Sequence, residues 1–290
     1  MSSIEIKSAS QIERMRKSGK LAAATLVHAG RHIRAGITTD DINRIVHDFI
    51  IGHSAYPSPL NYKGFPKSVC TSVNEVVCHG IPGPQVLHDG DIINVDVTTY
   101  LEGYHGDTSA TFYVGTPSAE GRKVVEVSRR ALELGIAEVR EGARIGDIGA
   151  AIQEYAESQG CSVVREYVGH GIGREFHMAP HVPHFGKRGT EKRLKAGMTF
   201  TIEPMVNLGS HETHRLDDEW TVVTKDGRLS AQFEHTILVT REGCEVLTAR
   251  EEPLQHSETF PFAELGPLST AAALRARNGG SASAGTALSA

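Results

Sequence analysis

The chain has 290 residues, 39% hydrophobic and 22% charged, with a formal net charge of -5, a composition that supports a large buried core in one or two domains. With a pI near 6.3 and its Lys and Arg dispersed it carries no nucleic-acid footprint, and no run approaches the roughly 18 apolar residues of a membrane span. The start, Met-Ser-Ser-Ile-Glu-Ile-Lys, lacks the apolar core of a secretory signal, and Cys70, Cys78, Cys161 and Cys244 show no Cys-x-x-Cys spacing, so reduced thiols in a soluble cytoplasmic protein are expected.

Ser10 followed by Glu13 predicts a capping box before Ile12, Met15, Leu21, Ala22, Leu26 and Ile33, and hence a long first helix ending at Gly36. A second helix starts near Thr39 and presents Ile42, Ile45, Val46, Phe49 and Ile50 on one face. Residues 56–66 hold Pro57, Pro59, Gly64 and Pro66 and read as turns. Short strands are expected over 68–72, 75–78, 91–100 and 107–114, before the hinge-like Gly115-Thr116-Pro117-Ser118. A helix from about Ser118 to Arg140, ending at Gly142, opens the second half.

That second half repeats the first. Gly142, Asp147, Ile148, Ile152 and Tyr155 fall 106 positions after Gly36, Asp41, Ile42, Val46 and Phe49, and Leu194, Gly197, Ile202 and Glu203 fall 107 after Leu87, Gly90, Val95 and Asp96. Asp107 and Glu234, each leading into an apolar run, stand 127 apart, as an insertion in the second half requires. The common order of these matches points to a duplicated α+β unit.

Five residues sit in or beside apolar, strand-like runs where charge is unwelcome: Asp96, Asp107, His170, Glu203 and Glu234. An isolated buried carboxylate costs several kcal/mol, so these positions need cations beside them. Two related half-domains would bring the four carboxylates to a shared pseudo-twofold axis, with His170 breaking the symmetry. Carboxylates with one imidazole and no thiolate suit a pair of divalent ions such as Mn, Fe, Co or Zn and argue against a structural zinc site. Such a pair can prepare a water for attack on a carbonyl, so hydrolysis is the expected chemistry.

Three other motifs carry less. In His177-Met-Ala-Pro-His181-Val-Pro-His184 the prolines break any helix that would align the histidines, so a surface loop is expected apart from His177. His211-Glu212-Thr213-His214 lacks the four-residue step of a zincin helix and reads as an exposed turn. Gly169-His-Gly-Ile-Gly173 has the wrong spacing for a dinucleotide loop.

From about residue 7 to residue 248 the chain resembles the type I, bacterial-like methionine aminopeptidases. The resemblance is carried by 67–82 (Lys-Ser-Val-Cys-Thr-Ser-Val-Asn-Glu-Val-Val-Cys-His-Gly-Ile-Pro), Gly106-Asp-Thr-Ser109, 169–177 (Gly-His-Gly-Ile-Gly-Arg-Glu-Phe-His), Phe200-Thr-Ile-Glu-Pro204 and Phe233-Glu-His-Thr236. It implies the pita-bread fold, an α+β arrangement of two pseudo-twofold halves forming an antiparallel sheet backed by helices, with a dinuclear site in the central cleft. One catalytic domain over residues 1–250 is expected, with halves of about 7–116 and 117–248. The extension 251–290 turns Ala-, Ser-, Gly- and Thr-rich from Ser269 and is expected to be disordered.

The same resemblance implies roles. Asp107, His170, Glu203 and Glu234 would hold one metal, and Asp96, Asp107 and Glu234 the other, Asp107 and Glu234 being the bridges. Glu203 resembles the family's proton shuttle, while His79 and His177 match the histidines that contact substrate and stabilise the tetrahedral intermediate. Tyr62, Phe65, Cys70, Phe176 and Trp220 match the methionine pocket, with Phe65 standing where a tyrosine is common. Asn74, Val76 and Ser230 match a monovalent-cation site seen in some members. The implied reaction is removal of the initiator methionine when the second residue is small, on nascent chains at the ribosome, by a cytoplasmic monomer. Prolidases and Xaa-Pro aminopeptidases share the fold and ligands but carry a large N-terminal domain, and type II methionine aminopeptidases carry an insertion where Glu203 and Glu234 here are only 31 apart. A non-catalytic pita-bread binding protein would have lost ligands, and none is lost.

Overall fold

The computed structural model describes residues 4–252 and Leu254. The remainder of the extension, with the disorder expected of it, lies outside the described residues. Among the described residues there are four α-helices: α1 (Ala9–Gly30), α2 (Thr39–Gly52), α3 (Ala119–Ala137) and α4 (Ile145–Ser158).

The cap of α1 differs from the expected one. Ser8, not Ser10, is the N-cap, and its partner is Gln11: Ser8 Oγ accepts the Gln11 N–H, and Gln11 Oε1 accepts the Ser8 N–H at 2.7 Å. Ser10 already lies inside the first turn, where its hydroxyl meets that of Ser8 at 3.2 Å. The helix also stops at Gly30 rather than Gly36. A Cβ at Gly30 would lie 2.6 Å from the Phe112 ring, so the glycine lets the helix end close onto the sheet. Gly36 turns the chain in the left-handed region (φ +87) and donates its N–H to the Leu87 carbonyl at 2.8 Å.

The halves repeat this construction. Gly142 also has φ +87 and donates to the Leu194 carbonyl at 3.0 Å, and the bridges Thr38↔Val86 and Arg144↔Arg193 sit at matching places. Asp41 and Asp147 each accept the N–H of the residue three before, at 3.1 and 2.8 Å, capping α2 and α4 alike. Ile42, Val46 and Ile50 of α2 and Ile148 and Ile152 of α4 are buried in the same apolar core.

A nine-stranded antiparallel sheet carries the site. Ile92–Leu101 and Tyr104–Tyr113 form a long hairpin around Glu102-Gly103, both at positive φ as a tight hairpin turn requires. Tyr104–Tyr113 pairs next with Glu234–Val239, which pairs with Thr199–Ile202, followed by Gly169–Gly171 and Met178–Val182. This order is why functional residues spread over nearly 140 positions can meet. Asp107 lies opposite Thr98 in a strand that begins at Tyr104 rather than at Asp107 itself. Met178–Val182 is a strand with His181 opposite His170, which corrects the surface loop expected there. Thr213–Arg215 likewise pairs with Val222–Thr224, so only part of the 211–214 motif is a turn. Among the described residues no helix is long and apolar enough to cross a membrane.

Candidate active site

Side chains alternate across a strand, so Asp96 opposite Ser109, and Ser109 opposite Glu234, form one row over the sheet, with Asp107 two residues from Ser109 on the same face. Asp107, His170 and Glu234 are buried and offer ligand atoms within 4.8 Å of one another. His170 Nε2 lies 3.7 Å from both Asp107 Oδ2 and Glu203 Oε1, beyond hydrogen-bond range. Asp96 joins them across the hairpin, its charge acting on Asp107, Glu203 and Glu234. The five residues singled out in the sequence therefore converge.

What surrounds them makes that convergence informative. Thr98 Oγ1 donates to Asp107 Oδ1 at 2.7 Å and Thr201 Oγ1 to Glu203 Oε1 at 2.6 Å, while Asp96 Oδ1 and Glu234 Oε1 are buried with no hydrogen-bond partner among the described residues. Buried polar atoms are nearly always satisfied, so two orphaned carboxylate oxygens in a cluster that also holds an imidazole fit a cation. Burial pushes all four acids upward, and repulsion from neighbouring carboxylates adds to it at Asp107, Glu203 and Glu234: Asp96 stands at about 7, Glu203 at about 8, and Asp107 and Glu234 well above the ordinary carboxylate range. His170 donates Nδ1–H to the Gly171 carbonyl at 3.0 Å, and burial lowers its pKa to about 4, so its Nε2 lone pair faces the carboxylates at neutral pH. A donor set of hard oxygens and one neutral imidazole thus fits divalent ions.

Next to the cluster lie the residues matched to substrate contact. His79 has φ +57 and packs edge-on against Tyr167 and Trp220, with ring centroids at 5.5 and 6.3 Å. Burial lowers its pKa to about 4. His177 lies 4.0 Å from the His170 ring and stacks on Tyr62 at 5.1 Å; its pKa is lowered by partial burial and neighbouring imidazoles. Phe176 meets His177 at 4.2 Å, Phe65 meets Trp220 at 5.2 Å, and Cys70 pairs with Asp96 across the strands. The pocket residues therefore flank the cluster in two groups, Tyr62 with Phe176 and His177, and Phe65 with Trp220 and His79. A cavity of about 400 Å³ opens between Lys63, His79, Tyr167, Arg215, Glu219 and Trp220. Asn74 and Ser230 touch, the Ser230 N–H donating to the Asn74 carbonyl at 2.9 Å, with Val76 two residues along.

Several neighbours of the site were not evident beforehand. Tyr167 and Arg215 wall the cavity without lying in any of the motifs. Gln232 Nε2 reaches Glu203 Oε2 at 3.4 Å, and His184, expected in a surface loop, is fully buried and accepts the Glu203 N–H at 3.0 Å. Tyr167 and Gln232 have one signal, their place within three residues of His170 and Glu234 in the chain; Arg215 and His184 have none.

Comparison with known proteins agrees with this geometry. The profile of metallopeptidase family M24 matches residues 13–241. The chain belongs to that family. It is 57% identical over 249 residues to methionine aminopeptidase A of Synechocystis sp., covering 86% of this chain and 98% of that one, and 50% identical over 251 residues to the methionine aminopeptidase of Escherichia coli K12, covering 86% and 95%. The crystal structure of methionine aminopeptidase from Rickettsia prowazekii superposes with a TM-score of 0.84 at 51% identity, covering 85% of this chain and all of that one. The Xaa-Pro dipeptidase from Bacillus anthracis superposes at 0.68 with 23% identity and is spanned over only 63% of its length, which is likeness of fold alone. The sheet and helices described above are thus the family's pita-bread fold.

Proposed function

We propose that this M24 enzyme removes the N-terminal methionine from newly made proteins, preferring a small, uncharged second residue. The observation that carries this reading is the buried carboxylate cluster with its two orphaned oxygens, on a chain 50–57% identical to named methionine aminopeptidases over 86% of its length. In this reading Asp107, His170, Glu203 and Glu234 hold one divalent ion, and Asp96, Asp107 and Glu234 hold a second. Co, Mn, Fe and Zn all suit those donors. When bound, such ions polarise a carbonyl and make water a better nucleophile at neutral pH.

The chain supplies the rest. Glu203 takes up a proton and returns it toward the leaving amine, and Thr201 fixes one of its oxygens. His79, kept uncharged by burial, and His177 offer hydrogen bonds to the oxygen of the bond being cleaved. Tyr62, Phe65, Cys70, Phe176 and Trp220 receive the methionine side chain, whose thioether gains about 0.3–1.5 kcal/mol from ring contacts. The carbonyls of Asn74 and Val76, with Ser230, form a monovalent-cation site. The substrates are nascent polypeptide N-termini, met at the ribosome by a cytoplasmic monomer, and the catalytic domain ends near residue 250.

The test is an assay of metal-loaded protein on Met-Ala-Ser, Met-Leu-Ser and an Xaa-Pro peptide, with Glu203→Gln alongside. Met-Ala-Ser is expected to be cleaved fastest. Cleavage of the Xaa-Pro peptide alone would remove methionine from this reading, and full activity in the variant would remove the proton-carrying role of Glu203.

A further inference from the structure

We infer that His184 is a positioning residue for this site: its Nε2 accepts the backbone N–H of Glu203 and so fixes where the Glu203 carboxylate points. The inference rests on the reading of Glu203 as metal ligand and proton carrier. The strand Thr199–Ile202 ends one residue before Glu203, and Pro204 after it has no N–H to give. A ladder cannot continue through that point, so the Glu203 amide needs another acceptor, and the His184 imidazole supplies it at 3.0 Å.

Two features set this contact apart from ordinary core packing. Because Nε2 is the acceptor, the proton of the neutral ring is on Nδ1, which is buried with no partner among the described residues. An unpartnered buried N–H is a standing cost that an apolar residue of similar size would avoid, so packing alone does not account for a histidine here. The segment bearing it is also held from behind. A Cβ on Gly149 of α4 would lie 2.5 Å from the Phe185 carbonyl oxygen and 2.7 Å from that of Pro183, and Gln153 Oε1 accepts the Gly186 N–H at 3.0 Å. Helix α4 therefore fixes the backbone on both sides of His184. Glu203 is held at three points, by Thr201 and Gln232 at its two carboxylate oxygens and by His184 at its amide.

The experiment compares full-length, metal-loaded wild type with His184→Gln, whose side-chain oxygen can still accept, and His184→Leu, which cannot. H184L is expected to lower kcat on Met-Ala-Ser, or affinity for Mn²⁺ by calorimetry, about 10- to 100-fold with KM little changed, and H184Q to recover most of the loss. Nitrogen NMR of the zinc-loaded wild type should show a protonated Nδ1 and a through-hydrogen-bond coupling between His184 Nε2 and the Glu203 amide. The inference is overturned by a protonated Nε2, by H184L that folds with wild-type kcat and Mn²⁺ affinity, or by H184Q as impaired as H184L. Should H184L not fold, the wild-type spectrum and H184Q decide. A wild type inactive on every methionyl peptide would count instead against the proposed function.

Discussion

Thr98 Oγ1 donates a 2.7 Å hydrogen bond to Asp107 Oδ1 across the central hairpin, and the two residues are direct partners in its register. The bond occupies one oxygen of Asp107 and leaves Oδ2 facing His170. Thr98→Val keeps shape and burial but removes the donor. Outer-shell losses of this kind cost about 10–100-fold in metal affinity or activity. We expect T98V to melt within a few degrees of wild type yet need more Mn²⁺ for half-maximal activity; an unchanged metal titration would show that Asp107 is aimed by other contacts.

The raised carboxylates predict how the metal-free protein responds to pH. Asp96 stands at about 7 and Glu203 at about 8 in the fold, against ordinary values of 3.8 and 4.5. The folded state therefore binds more protons than the unfolded state in this window, so stability falls as pH rises, by about 1.4 kcal/mol per pH unit for each extra proton held. Below about pH 6.5 the buried histidines, depressed in the fold, act in the opposite sense, so stripped of metal by a chelator the protein should lose thermal stability as pH rises from about 6.5 to 8, where only the carboxylates still titrate. Added divalent metal should abolish the decline, because ligation favours the ionised carboxylates, and should release protons on binding. Scanning calorimetry with and without chelator reads both effects, and a metal-free midpoint that rises between about pH 6.5 and pH 8 would contradict them.

Gly80 places His79. A Cβ there would run into the Thr71 carbonyl, and the colliding atom is backbone, which cannot swing aside. Gly80→Ala should therefore push apart the strands Cys70–Val73 and Val76–Cys78 and carry His79 with them. Overpacking of this sort costs about 1–3 kcal/mol, so the urea midpoint should drop. If His79 contacts the transition state, kcat of the folded variant should fall too, by up to about 10²–10³-fold. A variant with normal kcat would separate His79 from the reaction.

The residues of the buried acidic cluster were legible in sequence because charge in an apolar strand run is conspicuous whatever the fold, and because the halves repeat. Gly36 and Gly142, matched by spacing, share φ +87 and the same role at the helix entrance. Less visible was anything set by pairing between distant strands. His184 follows two prolines and reads as loop, yet the strand Met178–Val182 carries it under Glu203, a contact no local pattern encodes. The same limit hid Tyr167 and Arg215, which reach the cavity through tertiary packing. At α1 the error was local: Ser8-Gln11 and Ser10-Glu13 are both plausible caps, and the first is the one formed.

The far end of the fold reaches back to the site, and this predicts where the chain can be shortened. Thr248 Oγ1 hydrogen-bonds His235 Nδ1 at 2.8 Å and accepts the Thr236 N–H at 3.1 Å, so it braces the strand that presents Glu234. Arg250, buried behind the sheet, donates to the Ser109 carbonyl at 3.2 Å and to Thr108 Oγ1 at 3.3 Å, on the strand that presents Asp107. Leu254 adds a buried apolar contact to the main core. Ending the chain after Leu254 keeps all three braces, and activity on Met-Ala-Ser should stay within about twofold, since surface changes away from such features rarely exceed ±0.5 kcal/mol. Ending it after Leu247 removes them together; hydrogen bonds to a charged group are worth about 1.5–3 kcal/mol each, so the loss of both Arg250 contacts with those of Thr248 takes most of the margin of a typical domain, and that chain should be insoluble or unfolded. Arg250→Met separates the two contributions. It should lower the melting temperature while leaving the Thr248 contacts in place, and a melting temperature equal to wild type would mean that Thr248 and Leu254 suffice to hold the strands of Asp107 and Glu234 in register.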